Sequence, residues 1–459
     1  MTKIYCARWV LPILSEPIEG GAVAVEGTLI KGVGVRANLE ERFPSAVVED
    51  FGDAVILPGL VNCHTHLELT AMRGFLEPEE GDFFAWLRRV TVSRGEHMSA
   101  EDLYTSAAWG AVEAARAGIT CVGDASDSGA PVMRALGDAG LRGVVFQEAF
   151  GPDARSAAAQ FDVARAKVEA LRGGETPLVT PGLSPHAPYS VAPKLLGMLA
   201  RYATGERLPL MMHAAESEAE QELMLEGGGI FAMAYAVRGF EFDSPRTTTV
   251  RHLANLGVLD ARPLLAHCVR VDAGDVELLK RHGAGVAHCP KSNAKLGHGR
   301  APLASMLGAG VKVGLGSDSV ASNNTCDMLE EARFAVLASR AAGETVAAET
   351  VEGDRALDAA DALRMMTRGG AEAMNLEHLT GALAEGLEAD LVAVRLDAAH
   401  LTPAYDPAAA LIFSASGRDV ILTLVAGREV FRDGRVTTLD ESALRARVLD
   451  LARRLAQSR

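Results

Sequence analysis

No two cysteines of this chain form a CxxC pair. Its six, Cys6, Cys63, Cys121, Cys268, Cys289 and Cys326, are scattered through apolar segments. That excludes a zinc knuckle and a disulfide framework and fits a reduced, cytoplasmic setting. No basic stretch with interleaved aromatics occurs and the net charge is −15, so nucleic acid is not expected as a partner. The acidity reads as solubility. No apolar run reaches the ~18 residues of a membrane helix, and the run at 9–14 is too short for the apolar core of a signal peptide. No membrane association is expected. Internal repeats, low-complexity segments and a Pro/Ser-rich linker are also missing, although 459 residues exceed one typical domain.

What is present is a regular alternation. Apolar runs at 54–63, 119–124, 143–149, 178–184, 208–213, 263–267, 284–288 and 311–316 are separated by helix-like segments rich in Ala, Leu, Glu and Arg. Eight such units predict an α/β fold, a (β/α)8 TIM barrel over 56–379. Short strands separated by Gly-containing turns occupy 1–55, and the same texture returns over 380–435. The two ends therefore predict a small β-sandwich domain built from both chain termini, with the barrel inserted between its halves. Residues 436–459 carry a C-terminal helix, amphipathic over 441–456.

The chemistry-bearing residues fall at the ends of these runs. His64 and His66 close the first, His213 the fifth, His267 the sixth and Asp318 the eighth. Residues i and i+2 of a strand share a face, so His64 and His66 can grip one ion together. In such a barrel the active residues gather at the C-terminal ends of the strands. His64, His66, His213 and Asp318 therefore predict one divalent metal, zinc first and iron as the alternative. Three neutral imidazoles and one carboxylate leave the ion cationic enough to lower the pKa of a bound water toward ~7. A two-metal site would need a bridging lysine on a middle strand, and 143–149 and 178–184 contain none.

Glu216, three residues after His213, is the candidate proton shuttle. Its competing reading is a glutamate that favours a helix N-terminus. Asp318 can take the water proton while it ligates, and His267 is either a further ligand or a hydrogen-bond donor to the reacting group. His186 lies between Pro185 and Pro188, well placed to contact a small-molecule substrate. Trp86, with Phe83 and Phe84, can floor a pocket for a flat ring. The 288–293 segment can support the ligands from behind. His97, His252, His282, His298, His378 and His400 fall in helical or loop segments and receive no role.

Several stretches resemble the amidohydrolase superfamily, in its aminohydrolase branch of deaminases and chlorohydrolases. They are Pro58-Gly59-Leu60-Val61-Asn62-Cys63-His64-Thr65-His66, Met72-Arg73-Gly74, Ser184-Pro185-His186-Ala187-Pro188-Tyr189, His213-Ala214-Ala215-Glu216, Ala266-His267-Cys268, the 289–297 segment from Cys289-Pro290, and the 316–324 segment around Ser317-Asp318. The 381–392 segment looks like that family's return into its small β domain. The resemblance implies a mononuclear site of His64, His66, His213 and Asp318. It implies that Glu216 protonates a ring nitrogen beside the attacked carbon and that His267 orients the water. Asp318 would pass the water proton to departing ammonia, and His186 would contact the substrate. It also makes a homodimer plausible.

Within that branch, methylthioadenosine/S-adenosylhomocysteine deaminases grip ribose with a glutamate just before the first-loop tryptophan, where this chain has Ala85. They can also use an arginine after the third strand, where this chain has Phe146-Gln147-Glu148. The run from His213 to Glu220, continuing to Gly227-Gly228-Gly229, looks more like the aminodeoxyfutalosine deaminases, with Glu148 taking the ribose hydroxyls. The expectation is a metal-dependent hydrolytic deaminase of a 6-aminopurine nucleoside, first 6-aminodeoxyfutalosine of menaquinone biosynthesis by the futalosine pathway. The alternatives are an adenosine/methylthioadenosine/S-adenosylhomocysteine deaminase or a triazine-type chlorohydrolase. A non-catalytic scaffold would not be expected to keep all four ligands and Glu216.

Overall fold

The computed structural model describes residues 1–347 and 354–457. Eight strands are parallel and form two sheets of four. The first contains β1 (Leu60–Thr65), β2 (Ile119–Ser126), β3 (Arg142–Ala149) and β4 (Val179–Pro185), in the order β4-β3-β2-β1. The second contains β5 (Met211–Ala214), β6 (Leu264–His267), β7 (Gly285–His288) and β8 (Lys312–Leu315), in the order β5-β6-β7-β8. Nearly every residue of these strands is buried. A parallel strand covered on both faces reads as a continuous apolar run rather than an alternation, which is why the sequence pattern exposed them.

The two sheets meet along both outer edges. Leu183 and Leu210 form a parallel bridge between β4 and the approach to β5. At the other edge the Asp318 N–H donates to the His64 carbonyl at 2.9 Å. The Asn62 amide there donates to Ser317 Oγ at 2.7 Å and accepts from the Ser317 N–H at 2.9 Å. Gly316 permits that approach, because a Cβ on it would stand 2.8 Å from the His64 Cβ. The architecture is α/β with parallel sheets, and among the described residues no helix is long and apolar enough to cross a membrane.

One apolar run divides differently from the sequence expectation. Residues 54–63 read as a single barrel strand, yet Ala54–Pro58 pairs antiparallel with Leu391–Arg395, and only the part after Gly59 enters β1. The physical reason is continuity: both halves are fully buried, so no change in hydropathy marks the break. Ala54–Pro58 joins a seven-stranded sheet whose other members include Trp9–Val10, Val420–Val425 and Arg428–Arg432. A four-stranded sheet of Thr2–Cys6, Gly21–Glu26, Leu29–Val35 and Val47–Asp50 packs on it through Tyr5, Val23, Ile30, Ile56, Leu391 and Leu422.

After β1 the chain forms α1 (Phe83–His97) and α2 (Ala100–Arg116). The last helix, α3 (Glu441–Gln457), buries Leu444, Leu451 and Leu455. Leu451 and Leu455 share an apolar cluster with Trp86 and Val90 of α1.

Candidate active site

Backbone strain marks the strand ends where the polar residues gather. Ala215, His267, Cys268 and Asp318 have φ of 52°, 74°, 48° and 56°. For residues other than glycine this region costs about 1–3 kcal/mol each and persists where surrounding structure enforces it. The turns aim His213, His267 and Asp318 at the ring of His64. The ring centroid of His64 lies 4.9 Å from His66, 4.9 Å from His213 and 5.5 Å from His267. His64 Nε2 and His66 Nε2 stand 3.5 and 3.7 Å from Asp318 Oδ1, and His66 Nε2 stands 3.3 Å from His213 Nε2.

These side chains suit a cation. Both ring nitrogens of fully buried His64 lack a hydrogen-bond partner among the described residues, an arrangement that costs free energy unless something binds there. Two sets of three residues, His64 with His66 and His213 and His64 with His267 and Asp318, each place one ligand atom per residue within 4.8 Å of one another. The surroundings orient them. His213 Nδ1 donates to the His186 carbonyl at 2.9 Å, which turns the lone pair of Nε2 inward. Asp318 Oδ2 accepts from Ser292 Oγ at 2.6 Å and Oδ1 from the Ser319 N–H at 2.6 Å. Burial would raise the Asp318 carboxyl, but the imidazoles of His64, His267 and His66 outweigh it and hold it well below the usual range.

Acid should empty this site. Burial and then the neighbouring His64 lower His66 well below an ordinary histidine, and burial with His64 and His267 lowers His213 to about 4. Unfolded histidine titrates near about 6.5. A depressed native value means that the unfolded chain gains protons first as the pH falls. The histidine contribution is therefore complete above about pH 6.5 and declines toward about pH 4. Metal content measured after dialysis across that window is expected to fall together with thermal stability. Full retention at its acid end would contradict ligation by these histidines.

Glu216 faces two imidazoles. Its Oε1 lies 3.6 Å from His267 Nε2 and 3.3 Å from His298 Nε2. Burial raises this carboxyl, but His267 and His298 bring it down to about 2. His267 moves the other way: burial lowers it, and Glu216 and Asp318 more than compensate, so it is raised. Asn293 Oδ1 holds His267 Nδ1 at 2.9 Å. Glu220 fixes the turn behind Glu216, accepting from the Ala215 and Glu216 N–H groups at 2.8 and 3.0 Å and from Thr249 Oγ1 at 2.6 Å.

A cavity of about 440 Å³ opens from these residues. His66, His213, Glu216, His267 and Asp318 are in its wall, together with His186, Glu148 and Trp86. His186 Nδ1 bonds Ser190 Oγ at 2.7 Å, and its Nε2 stands 4.0 Å from Glu148 Oε1. Burial pushes Glu148 up to about 8. Its Oε1 and Glu68 Oε2 are buried without hydrogen-bond partners among the described residues. Phe83, Phe84, Phe150, Tyr189, Phe231 and Tyr235 add aromatic faces to the wall, and Arg88, Arg94 and Arg238 add cations.

Three residues here escaped the sequence reading. His298 reaches Glu216 from the segment after β7, beyond the 288–293 stretch whose Asn293 holds His267. Glu220 was one of a row of glutamates after Glu216, and only its burial distinguishes it. Glu68, two residues past His66, carries the signal of an acid inside an apolar segment, and Arg94 pairs with it at 2.7 Å.

The amidohydrolase family profile matches residues 55–430. A 5-methylthioadenosine/S-adenosylhomocysteine deaminase of Pelotomaculum thermopropionicum is 34% identical over 436 residues, covering 95% of this chain and 94% of the relative. An enzyme of the same name from Moorella thermoacetica is 33% identical, covering 96% of each. Among solved structures, an adenosine deaminase from Xanthomonas campestris with bound zinc superposes with a TM-score of 0.86 at 27% identity, over 99% of this chain and 98% of that one. The zinc complex of atrazine chlorohydrolase from Arthrobacter aurescens TC1 superposes at 0.82 with 24% identity, over 98% of this chain and 99% of that one, a likeness of fold.

Proposed function

The chain belongs to the amidohydrolase family and is a hydrolase of carbon–nitrogen bonds, and from that premise we propose that it is a hydrolytic deaminase of an adenine nucleoside. The observation that carries this reading is the buried carboxylate of Glu216 beside His267, on the wall of one cavity with His66, His213 and Asp318. The two parallel sheets are read as one eight-stranded barrel, with the site at the C-terminal ends of its strands. Residues 1–55 and 380–435 are read as the sandwich domain.

His64, His66, His213 and Asp318 would hold a divalent ion, zinc by the zinc-bound neighbours, and that ion supplies Lewis acidity and an activated water. Asp318 accepts the proton of the water and returns it to the departing amine. Glu216 delivers a proton to the ring nitrogen beside the attacked carbon, so the ring accepts negative charge as the bond forms. His267, fixed by Asn293, directs a ring nitrogen at the oxygen that develops charge. The aromatic wall around Trp86 excludes water and stacks a flat base. His186 and Glu148 offer polar contacts to the sugar, and a carboxyl raised to about 8 can both donate to and accept from hydroxyls at neutral pH.

The relatives favour methylthioadenosine, S-adenosylhomocysteine or adenosine as substrate over aminodeoxyfutalosine. Aminodeoxyfutalosine is the second reading, favoured by Ala85 before Trp86 and by a Glu148 oxygen in the cavity with no hydrogen-bond partner among the described residues. Ammonia release by the metal-loaded enzyme tests both. Turnover is expected with methylthioadenosine, S-adenosylhomocysteine or adenosine, and a preference for aminodeoxyfutalosine would select the second reading. Guanine, cytosine and a chlorotriazine should be inert. Silence on every purine nucleoside with metal bound would overturn the proposal.

A further inference from the structure

Glu216 is asked to give a proton, yet its surroundings keep it ionised. Two imidazoles within 3.6 Å stabilise the carboxylate, and a group held near pKa 2 carries almost no proton at neutral pH. His267 already directs Nδ1 to Asn293 and faces the reacting centre. His298 has no such task. It is 4% exposed, its ring stands edge-on to Phe83 with centroids 4.4 Å apart, and its Nε2 stands 3.3 Å from Glu216 Oε1, the same oxygen that His267 Nε2 approaches at 3.6 Å.

The chain is shaped to put it there. Gly297 and Gly299, at φ of 71° and 99°, let the backbone reverse on both sides of His298. The His298 N–H is tied to the Asn293 carbonyl at 2.9 Å, so the residue that fixes His267 also anchors His298. The same segment forms a partition. Leu296 faces the substrate cavity, while Gly297, Gly299 and Arg300 line a second cavity of about 290 Å³ with His288.

We propose that His298 is the proton reservoir of Glu216: it carries the proton between turnovers and passes it through the carboxylate to the substrate ring nitrogen. This rests on the deaminase reading. In that reaction the ring C–N bond to the amino group breaks and a C–O bond forms. One proton of the water ends on ammonia. The other is shed to solvent as the new oxygen becomes a carbonyl. The ring nitrogen keeps the hydrogen it received from Glu216, so Glu216 must regain one proton per turnover. His298 supplies it and refills from solvent, which balances protons without any oxidant or reductant. The present contact is close but not aligned as a hydrogen bond, and catalytic contacts of this kind tighten when substrate binds. The titratable groups around Glu216 include His298, His267, His213 and Glu220, with His186 and Tyr189 across the cavity.

The test is a pH–rate profile of His298→Asn and His298→Ala beside the parent, with metal content and melting temperature measured on each. The expected result is a fall in kcat of about 10²-fold, KM within a few-fold of the parent, and parental metal content. Imidazole added to His298→Ala should restore rate in proportion to its protonated fraction. A His298→Asn enzyme within twofold of the parent overturns the proposal, as does a folded, metal-loaded His298→Ala enzyme that imidazole does not rescue. If neither variant folds, His298→Gln read for kcat, metal content and melting temperature decides: a folded, metal-loaded His298→Gln enzyme within twofold of the parent overturns the proposal. A parent that deaminates while its variants match it sinks this inference alone. A parent inactive on every aminopurine nucleoside sinks the deaminase reading and this inference with it.

Discussion

Glu216→Gln is expected to lower kcat by about 10²–10⁴-fold, the range general acid–base groups supply, while the protein keeps its metal and its fold. Glutamine has the size and shape of glutamate and can still face His267 and His298, but it cannot carry a proton between them and the substrate. Ring protonation is then lost and attack on the ring carbon must build charge unaided. KM should change little, because the side chain's contribution arises in the transition state. Steady-state kinetics with metal analysis on the same sample checks this. Near-normal kcat in the variant would remove Glu216 from proton transfer.

Loss of the ion should be as severe. His64→Ala is expected to abolish stoichiometric metal binding and measurable turnover together. The ring is fully buried, both its nitrogens lack hydrogen-bond partners among the described residues, and its centroid lies within 5.5 Å of three other imidazoles. Removing it opens a hole in the middle of the donor set and takes a neighbour from Asp318. Chelation of the parent should reproduce the loss of activity, and added zinc should reverse it in the parent but not in the variant. The stability change should follow occupancy: a ligand at a hundred times its Kd stabilises the native state by about 2.7 kcal/mol. A His64→Ala protein that retains full metal would exclude His64 as a ligand.

How legible the site was depended on where each residue lies in the chain. His64, His66, His213, His267 and Asp318 end apolar runs, and strand ends of one layer converge, so position alone announced them. His186 and Glu148 end the fourth and third runs and reach the same cavity. His298 ends nothing. It sits three residues past Lys295, the end of the short helix Pro290–Lys295, and meets Glu216, 82 positions earlier, only because two glycines reverse the chain. Glu220 was hidden differently: a glutamate in the first turn of a helix usually faces water, and only tertiary burial turns it against the backbone of Ala215 and Glu216. The parallel strands were legible because both their faces are covered. The break at Gly59 was not, since hydropathy is the same on either side.

That break has a thermodynamic consequence. One residue separates the strand that completes the seven-stranded sheet from the strand that carries His64, and the backbone of Gly59 is itself bonded to Asp390. No slack linker lies between the two, so strain in one passes to the other without being absorbed. Fraying of the sheet that gathers both chain ends would drag at the histidine strand, and an ion gripped by that strand would clamp the ends in turn. Cooperative melting as a single transition follows, with an ion bound at the histidine strand protecting the sheet of both chain ends from proteases.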